Sequence, residues 1–197
     1  MSKIWEYKTY GIPDCMFYRG KVPMTKSEVR SITLSKLQVK SNDILADIGS
    51  GTGSISVEMA LAAEKGEVYS IEINPDAVNL TKRNAEKFGI ANMKIVQGKG
   101  SVVIPDLPKL NGVVIGGSKG ELSQIFDGLD HKLVCGGKIV VNVITIENLY
   151  KCVKLLKQKN YKEIDVTQVL ISKGEFIKEL TMMKSQNPVF LITAVKS

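Results

Sequence analysis

The chain has 197 residues, 44% hydrophobic and 24% charged, the proportions of a folded globular domain with room for a sizeable core. No apolar run approaches the roughly 20 residues that cross a bilayer as a helix, and the start, Met1 to Glu6, lacks the apolar centre of a signal peptide. The 27 basic side chains outnumber the 20 acidic ones for a net charge of +7, which suits a nucleic acid, a polycarboxylate small molecule or simple solubility. Cys15, Cys135 and Cys152 show no C-x-x-C spacing, as expected of free thiols in a reducing cytoplasm. With those cysteines unclustered and His131 the only histidine, no protein metal site is expected. His131 follows Asp130 near a helix end, where an interaction with that end is its expected role.

Residues 1–24 are turn-rich, with Gly11, Pro13, Gly20 and Pro23. Thr25-Lys26-Ser27-Glu28 reads as a capping box, flanked by Met24 and Val29 as a hydrophobic staple, and predicts a helix to about Leu37. A short strand, Ile44-Leu45-Ala46, leads into Asp47-Ile48-Gly49-Ser50-Gly51-Thr52-Gly53. A helix follows from about Ser54, with Ile55, Met59, Ala62 and Ala63 on one face. The strand Val68–Ile71 ends at Glu72, and Asn74-Pro75 opens a second helix of the same stripe type. Strands at Met93–Val96, Gly112–Ile115 and Lys138–Val143 alternate with helices marked by Leu122, Ile125, Phe126 and Leu129, then by Leu149, Cys152, Val153 and Leu156. This alternation predicts a parallel sheet with helices on both faces. At the end, Ile164–Ser172 and Val189–Val195 read as strands suited to antiparallel pairing. The connection Lys173–Pro188 reads as a long loop, of the kind that is often functional. Its Phe176, Ile177, Met182 and Met183 either line a pocket, or pack under the loop or at a subunit contact.

The glycine stretch carries the chemistry. Three glycines at alternate positions let the backbone turn sharply and lie close to a ligand. An acid at the end of the next strand suits two ribose hydroxyls. The dinucleotide fingerprint G-x-G-x-x-G is not met, since Ser54 stands where its third glycine belongs, and no Gly-Lys-Ser/Thr follows as in a P-loop. Asp-x-Gly-x-Gly-x-Gly instead resembles motif I of the class I methyltransferases, which hold S-adenosylmethionine. That resemblance implies a Rossmann-like α/β fold: a mostly parallel seven-stranded sheet with an antiparallel last strand. After the fourth strand, Ile115-Gly116-Gly117-Ser118-Lys119-Gly120 offers no amide or carboxylate for an amine proton, so base or glutamine amine methylation is disfavoured.

Four blocks narrow the resemblance. Gly11-Ile12-Pro13-Asp14, Lys21 through Arg30, Ile115 through Ser118, and Met182-Met183-Lys184-Ser185-Gln186-Asn187-Pro188-Val189 resemble the decarboxylating precorrin-6B C15-methyltransferases of cobalamin biosynthesis, in order and over nearly the whole chain. The chain then divides into an N-terminal arm over the cleft, 1–24, and one methyltransferase domain, 25–197. The resemblance implies a cytoplasmic homotetramer that methylates a corrinoid carbon and releases carbon dioxide from a ring acetate. It places S-adenosylmethionine against Thr25, Asp47, Gly49, Ser50, Gly51, Thr52, Gly53, Glu72 and Gly100. Gly98-Lys99-Gly100-Ser101 departs from the usual Gly-acid-Ala-Pro, and Lys99 accepts no hydrogen bond, so backbone is left to read the adenine. Arg19, Lys21, Arg30 and Lys119, with Gly116, Gly117 and Ser118, are the candidate substrate contacts; the cations either grip carboxylates or are solvated surface charges. Methyl transfer needs alignment more than a strong nucleophile, and no Ser/His/Asp set is visible. The competing readings are an RNA methyltransferase and a catalytically silent donor-binding protein.

Overall fold

The computed structural model describes residues 4–197; the reading of the extreme N-terminus falls partly on Met1 to Lys3, outside the described residues. Helix α1 (Ser27–Leu37) precedes β1 (Ile44–Ile48), α2 (Ser54–Ala62), β2 (Glu67–Glu72), α3 (Pro75–Phe88) and β3 (Met93–Gln97). Then come α4 (Gly100–Val103), β4 (Leu110–Ile115), α5 (Leu122–Lys132), β5 (Leu133–Val143), α6 (Ile146–Gln158), β6 (Lys162–Val169), β7 (Ser172–Ile177), β8 (Leu180–Ser185) and β9 (Val189–Val195).

Seven strands form one sheet in the order β3-β2-β1-β4-β5-β9-β6. β1 pairs in parallel with both β2 and β4, and β9 runs antiparallel between β5 and β6. Alternation along the strands fills two cores. Leu45, Val68, Val114 and Val140 face Leu34 and Leu37 of α1 and Ile55 and Met59 of α2. Ala46, Tyr69, Val113, Ile139 and Val141 face Phe126 and Leu129 of α5 and Leu156 of α6. Because both faces are covered, the inner strands carry apolar runs, Ile44–Ala46, Val113–Ile115 and Ile139–Val141, whereas the edge strand β6 is largely exposed. The strand order reverses at β1 and β4, and ligands of such sheets bind beyond the carboxyl ends of the strands at that point.

Two local expectations need correction, and one helix is more buried than its stripe implies. The capping box does not form: α1 begins at Ser27 with Lys26 at its N-cap and no side-chain cap from it. The Ser27 N–H is met by Asp14 Oδ1 at 3.0 Å, so the helix start is satisfied from the preceding arm, 13 residues upstream. Helix α2 has no solvent face over most of its length, being buried from Ser54 through Ala60. The Lys173–Pro188 connection is not a loop, because β7 and β8 pair antiparallel from Ser172↔Ser185 to Ile177↔Leu180 as a separate hairpin. Phe176, Ile177, Met182 and Met183 are exposed there. They lie outside the wall of the cavity described below.

Asn74, by contrast, caps α3 as its sequence suggests, with its side chain accepting from Asp76 N at 2.9 Å and Pro75 following.

Candidate functional site

A cavity of about 480 Å³ opens at the carboxyl ends of β1, β2 and β4. Its floor is the loop between β1 and α2. Gly49, Gly51 and Gly53 all have positive φ, at 73°, 58° and 74°, a region that costs a side chain of order 1 kcal/mol or more. Space forbids a side chain as well. A Cβ on Gly49 would lie 2.6 Å from the Gly117 carbonyl oxygen, and one on Gly53 would lie 2.6 Å from Thr81 Cγ2. The loop is pinned to the neighbouring strands: Gly49 N and Ser50 N donate to Ile71 O, and Gly116 N donates to Ile48 O.

Asp47, one residue before the end of β1, is 1% exposed. Its Oδ2 accepts from Ser56 Oγ at 2.5 Å, and Ser56 Oγ lies 2.9 Å from Ser70 Oγ. Burial pushes the carboxyl up to about 7; the Ser56 hydrogen bond opposes this and the nearby Glu72 charge adds to it. Asp47 Oδ1, Ser50 Oγ and Thr52 Oγ1 are buried with no hydrogen-bond partner. Asp47, Gly49, Ser50 and Gly51 belong to the cavity wall, whereas the expected donor contacts Thr52 and Gly53 lie outside it.

Glu72 reaches the cavity from the end of β2. Its Oε2 accepts from Gly51 N at 2.9 Å, and its Oε1 accepts from Ile73 N and Asn74 N at 2.9 Å each. The acid therefore fastens the glycine loop to the following turn. A carboxylate has about four lone-pair sites, so Oε2 keeps acceptor capacity toward the cavity.

The wall also includes Thr25, Gly100, Gly116, Gly117, Ser118 and Lys119. A Cβ on Gly100 would meet Ile48 Cγ2 at 2.7 Å, so the small residue brings the β3 loop close to β1.

Arg30 is a correction to the expected carboxylate grip. Its side chain is fully buried and away from the cavity wall. Its Nε donates to Glu58 Oε1 at 2.8 Å and its Nη1 to Asp14 Oδ1 at 2.9 Å, while Thr25 O and Ile12 O take further donors. Glu58 in turn accepts from Gly11 N and Ile12 N. This network straps the N-terminal segment onto α1 and α2. Arg19 and Lys21 are exposed and lie outside the wall. His131 sits in the last turn of α5, also away from the cavity.

Two wall residues escaped the sequence reading. Asn142, near the end of β5, donates from Nδ2 to Thr33 Oγ1 at 3.0 Å. Glu121, just before α5, accepts from Lys99 Nζ at 2.6 Å and from Ser101 Oγ at 2.7 Å. The odd Lys99 in place of an acid was the available signal for Glu121, because a cation entering a cleft calls for an anion to meet it.

The sheet order, the side-chain-free loop at its switch point and the acid one strand over define a class I methyltransferase. Residues 16–196 match the family model described as a precorrin methyltransferase domain. The chain belongs to that family. A probable cobalt-precorrin-6B C(15)-methyltransferase (decarboxylating) of Pyrobaculum calidifontis is 42% identical over 193 residues, spanning 96% of this chain and 98% of that protein. One of the same description from Saccharolobus solfataricus is 37% identical over 196 residues, 98% of each chain. The crystal structure of a precorrin-6Y C5,15-methyltransferase from Geobacter metallireducens matches with a TM-score of 0.91 at 36% identity, covering 96% of this chain and 100% of that one. A tRNA (m1A58) methyltransferase from Aquifex aeolicus, at 17% identity and a TM-score of 0.74, shares the fold alone.

Proposed function

We infer that this chain is an S-adenosylmethionine-dependent C-methyltransferase of cobalamin biosynthesis, methylating a precorrin-6B-type corrinoid at carbon 15 with loss of carbon dioxide from a ring acetate. Family membership supports the reaction class. The observation that carries the donor assignment is the cavity floor: three positive-φ glycines beside two unpartnered buried oxygens, Asp47 Oδ1 and Ser50 Oγ. A ligand with an ammonium and a carboxylate fits that cradle, since Asp47 accepts and the Ser50 hydroxyl donates.

When bound, the donor supplies an activated methyl group on sulfur. The residues of this chain have the remaining tasks. Asp47 takes the ammonium end, and the open side of Glu72 takes a ribose hydroxyl. The bare backbone of Gly49 and Gly51 lets the donor lie flat, and Thr25 and Gly100 bound it on either side. Gly116, Gly117 and Ser118 border the acceptor, and Lys119 meets one of its ionised side arms. Holding both partners in line supplies several kcal/mol, to order of magnitude. Arg19 and Lys21 serve at most as outer attraction for a polyanion. We also assign the chain to the cytoplasm, on the support of exposed free Cys15 and Cys135; no helix among the described residues is long and apolar enough to cross a membrane. A homotetramer is supported by the bare hairpin, where Phe176 is 82% and Leu180 72% exposed; light scattering on purified protein tests it, and a monomer refutes it.

The direct test is incubation with S-adenosylmethionine and a precorrin-6-type substrate, read by mass spectrometry. A gain of one methyl with loss of carbon dioxide is expected. Methyl appearing on RNA instead, or donor binding without turnover, overturns the reading.

A further inference from the structure

Past Glu72, the cavity continues between the turn after β2, with Ile73 and Asn74, and the loop after β3, with Gly98, Lys99 and Gly100. The start of α5 closes this end with Glu121 and Ile125. Gly98 and Gly100 put only backbone on this wall, and Gly100 lets that backbone sit close on Ile48 and Ile125, where a Cβ would meet them at 2.7 and 3.4 Å. The sugar acid is already placed at Glu72, and the group attached to that sugar must therefore fall in this slot. An adenine presents an exocyclic amine, which donates, and a ring nitrogen beside it, which accepts. Lys99 and Lys119 donate only, so neither can meet the amine.

Glu121 can. Its two oxygens are each held by one hydrogen bond, from Lys99 Nζ at 2.6 Å and from Ser101 Oγ at 2.7 Å, and each keeps a free lone pair. Those same two hydrogen bonds hold the carboxyl below the usual glutamate range, so it stays ionised and purely accepting near neutral pH. Its side chain is 22% exposed, open enough to be reached and anchored enough to be aimed. Lys99 sits at the N-cap of α4 and Ser101 lies in its first turn, whereas Glu121 comes from the start of α5, so the cluster ties the slot together from two sides.

We propose that Glu121 reads the exocyclic amine of the donor's purine, with Lys99 and Ser101 as positioning residues that aim its carboxylate. This rests on the donor reading above. It moves the recognition of the base off the β3 loop, whose own residue at that place is cationic, onto the segment before α5.

The test compares binding of S-adenosylhomocysteine with its analogue in which hydrogen replaces the purine 6-amino group, by calorimetry. One hydrogen bond to a charged acceptor makes the wild type prefer the amino form by about 10-fold or more. Glu121→Ala should bind both ligands alike, at the wild type's affinity for the analogue, which also reports that the fold is retained. Lys99→Met should shrink the preference while leaving affinity for the analogue unchanged, and Lys99→Arg should restore it. A preference that survives in Glu121→Ala overturns the proposal. So does an equal loss for both ligands, which marks a merely structural strap. Wild-type protein that binds neither ligand overturns the donor reading itself, and this proposal with it.

Discussion

Two segments end at the cavity wall and are held in opposite ways. The N-terminal segment, which contributes Val22 to Thr25, is strapped by a fully buried arginine between two carboxylates and two carbonyls. The β7–β8 hairpin, which leads into Val189 of the same wall, has all of its residues exposed. Its tie to the body includes the partly exposed pair Lys173–Glu28 at 2.7 Å. Buried charge demands one geometry, because an unpaired partner is costly. A bare apolar strand demands only that something cover it. One side of the cleft is fixed by the chain's own chemistry, and the other carries an exposed hairpin.

The comparison breaks most visibly at Arg30. Arg30→Ala leaves Glu58 buried without its cation and Asp14 with only Lys26 at 3.8 Å, and should cost about 3–5 kcal/mol in denaturant unfolding. Little loss would show that the strap is dispensable. Next is Gly49→Ala, which combines positive φ with a Cβ 2.6 Å from Gly117 O. It should cost about 1–3 kcal/mol and abolish donor binding measured by calorimetry. Retained binding would mean that the two loops yield easily.

Asp47 sharpens the contrast through pH. Its folded pKa is raised, from 3.8 to about 7. Between those values the folded state holds the proton better than the unfolded chain does, so stability falls as pH rises from about 4 to 7. Asp47→Asn should flatten that slope, add up to about 4 kcal/mol at pH 8 and weaken the donor by removing its acceptor charge. An unaltered slope would clear Asp47 of the effect. The smallest effect belongs to the hairpin. Phe176→Ser with Met182→Ser should change the unfolding free energy of a monomer by less than about 0.5 kcal/mol, while light scattering shows subunits separating. A large loss of monomer stability would place those side chains inside the protomer.

The sheet, its helices and the glycine loop were legible because each rests on local rules: short apolar runs for strands, stripes of period 3.6 for helices, Asn74-Pro75 at a helix start, and glycines where φ is positive. What was not legible depends on partners far along the chain. Asp14 caps α1 across 13 residues, a role that the Thr25–Glu28 spacing masked. Arg30 looked like a ligand grip because arginine commonly is one, and only the fold shows Glu58 waiting 28 residues away. Lys99 read as a lost contact until Glu121 was placed opposite it. The hairpin was hidden because its exposed, apolar strands lack the one-sided pattern of a covered sheet.

The near-collision of Gly49 with Gly117 has a further consequence. Main chain abuts main chain there, with no side chain between the two loops to absorb a change. The floor and the back of the cleft must therefore shift as one rigid piece or not at all. A descendant of this chain that took a new acceptor would have to leave that seam alone and remodel the outer lip at Lys119 and Ile144, where exposed side chains line the cavity.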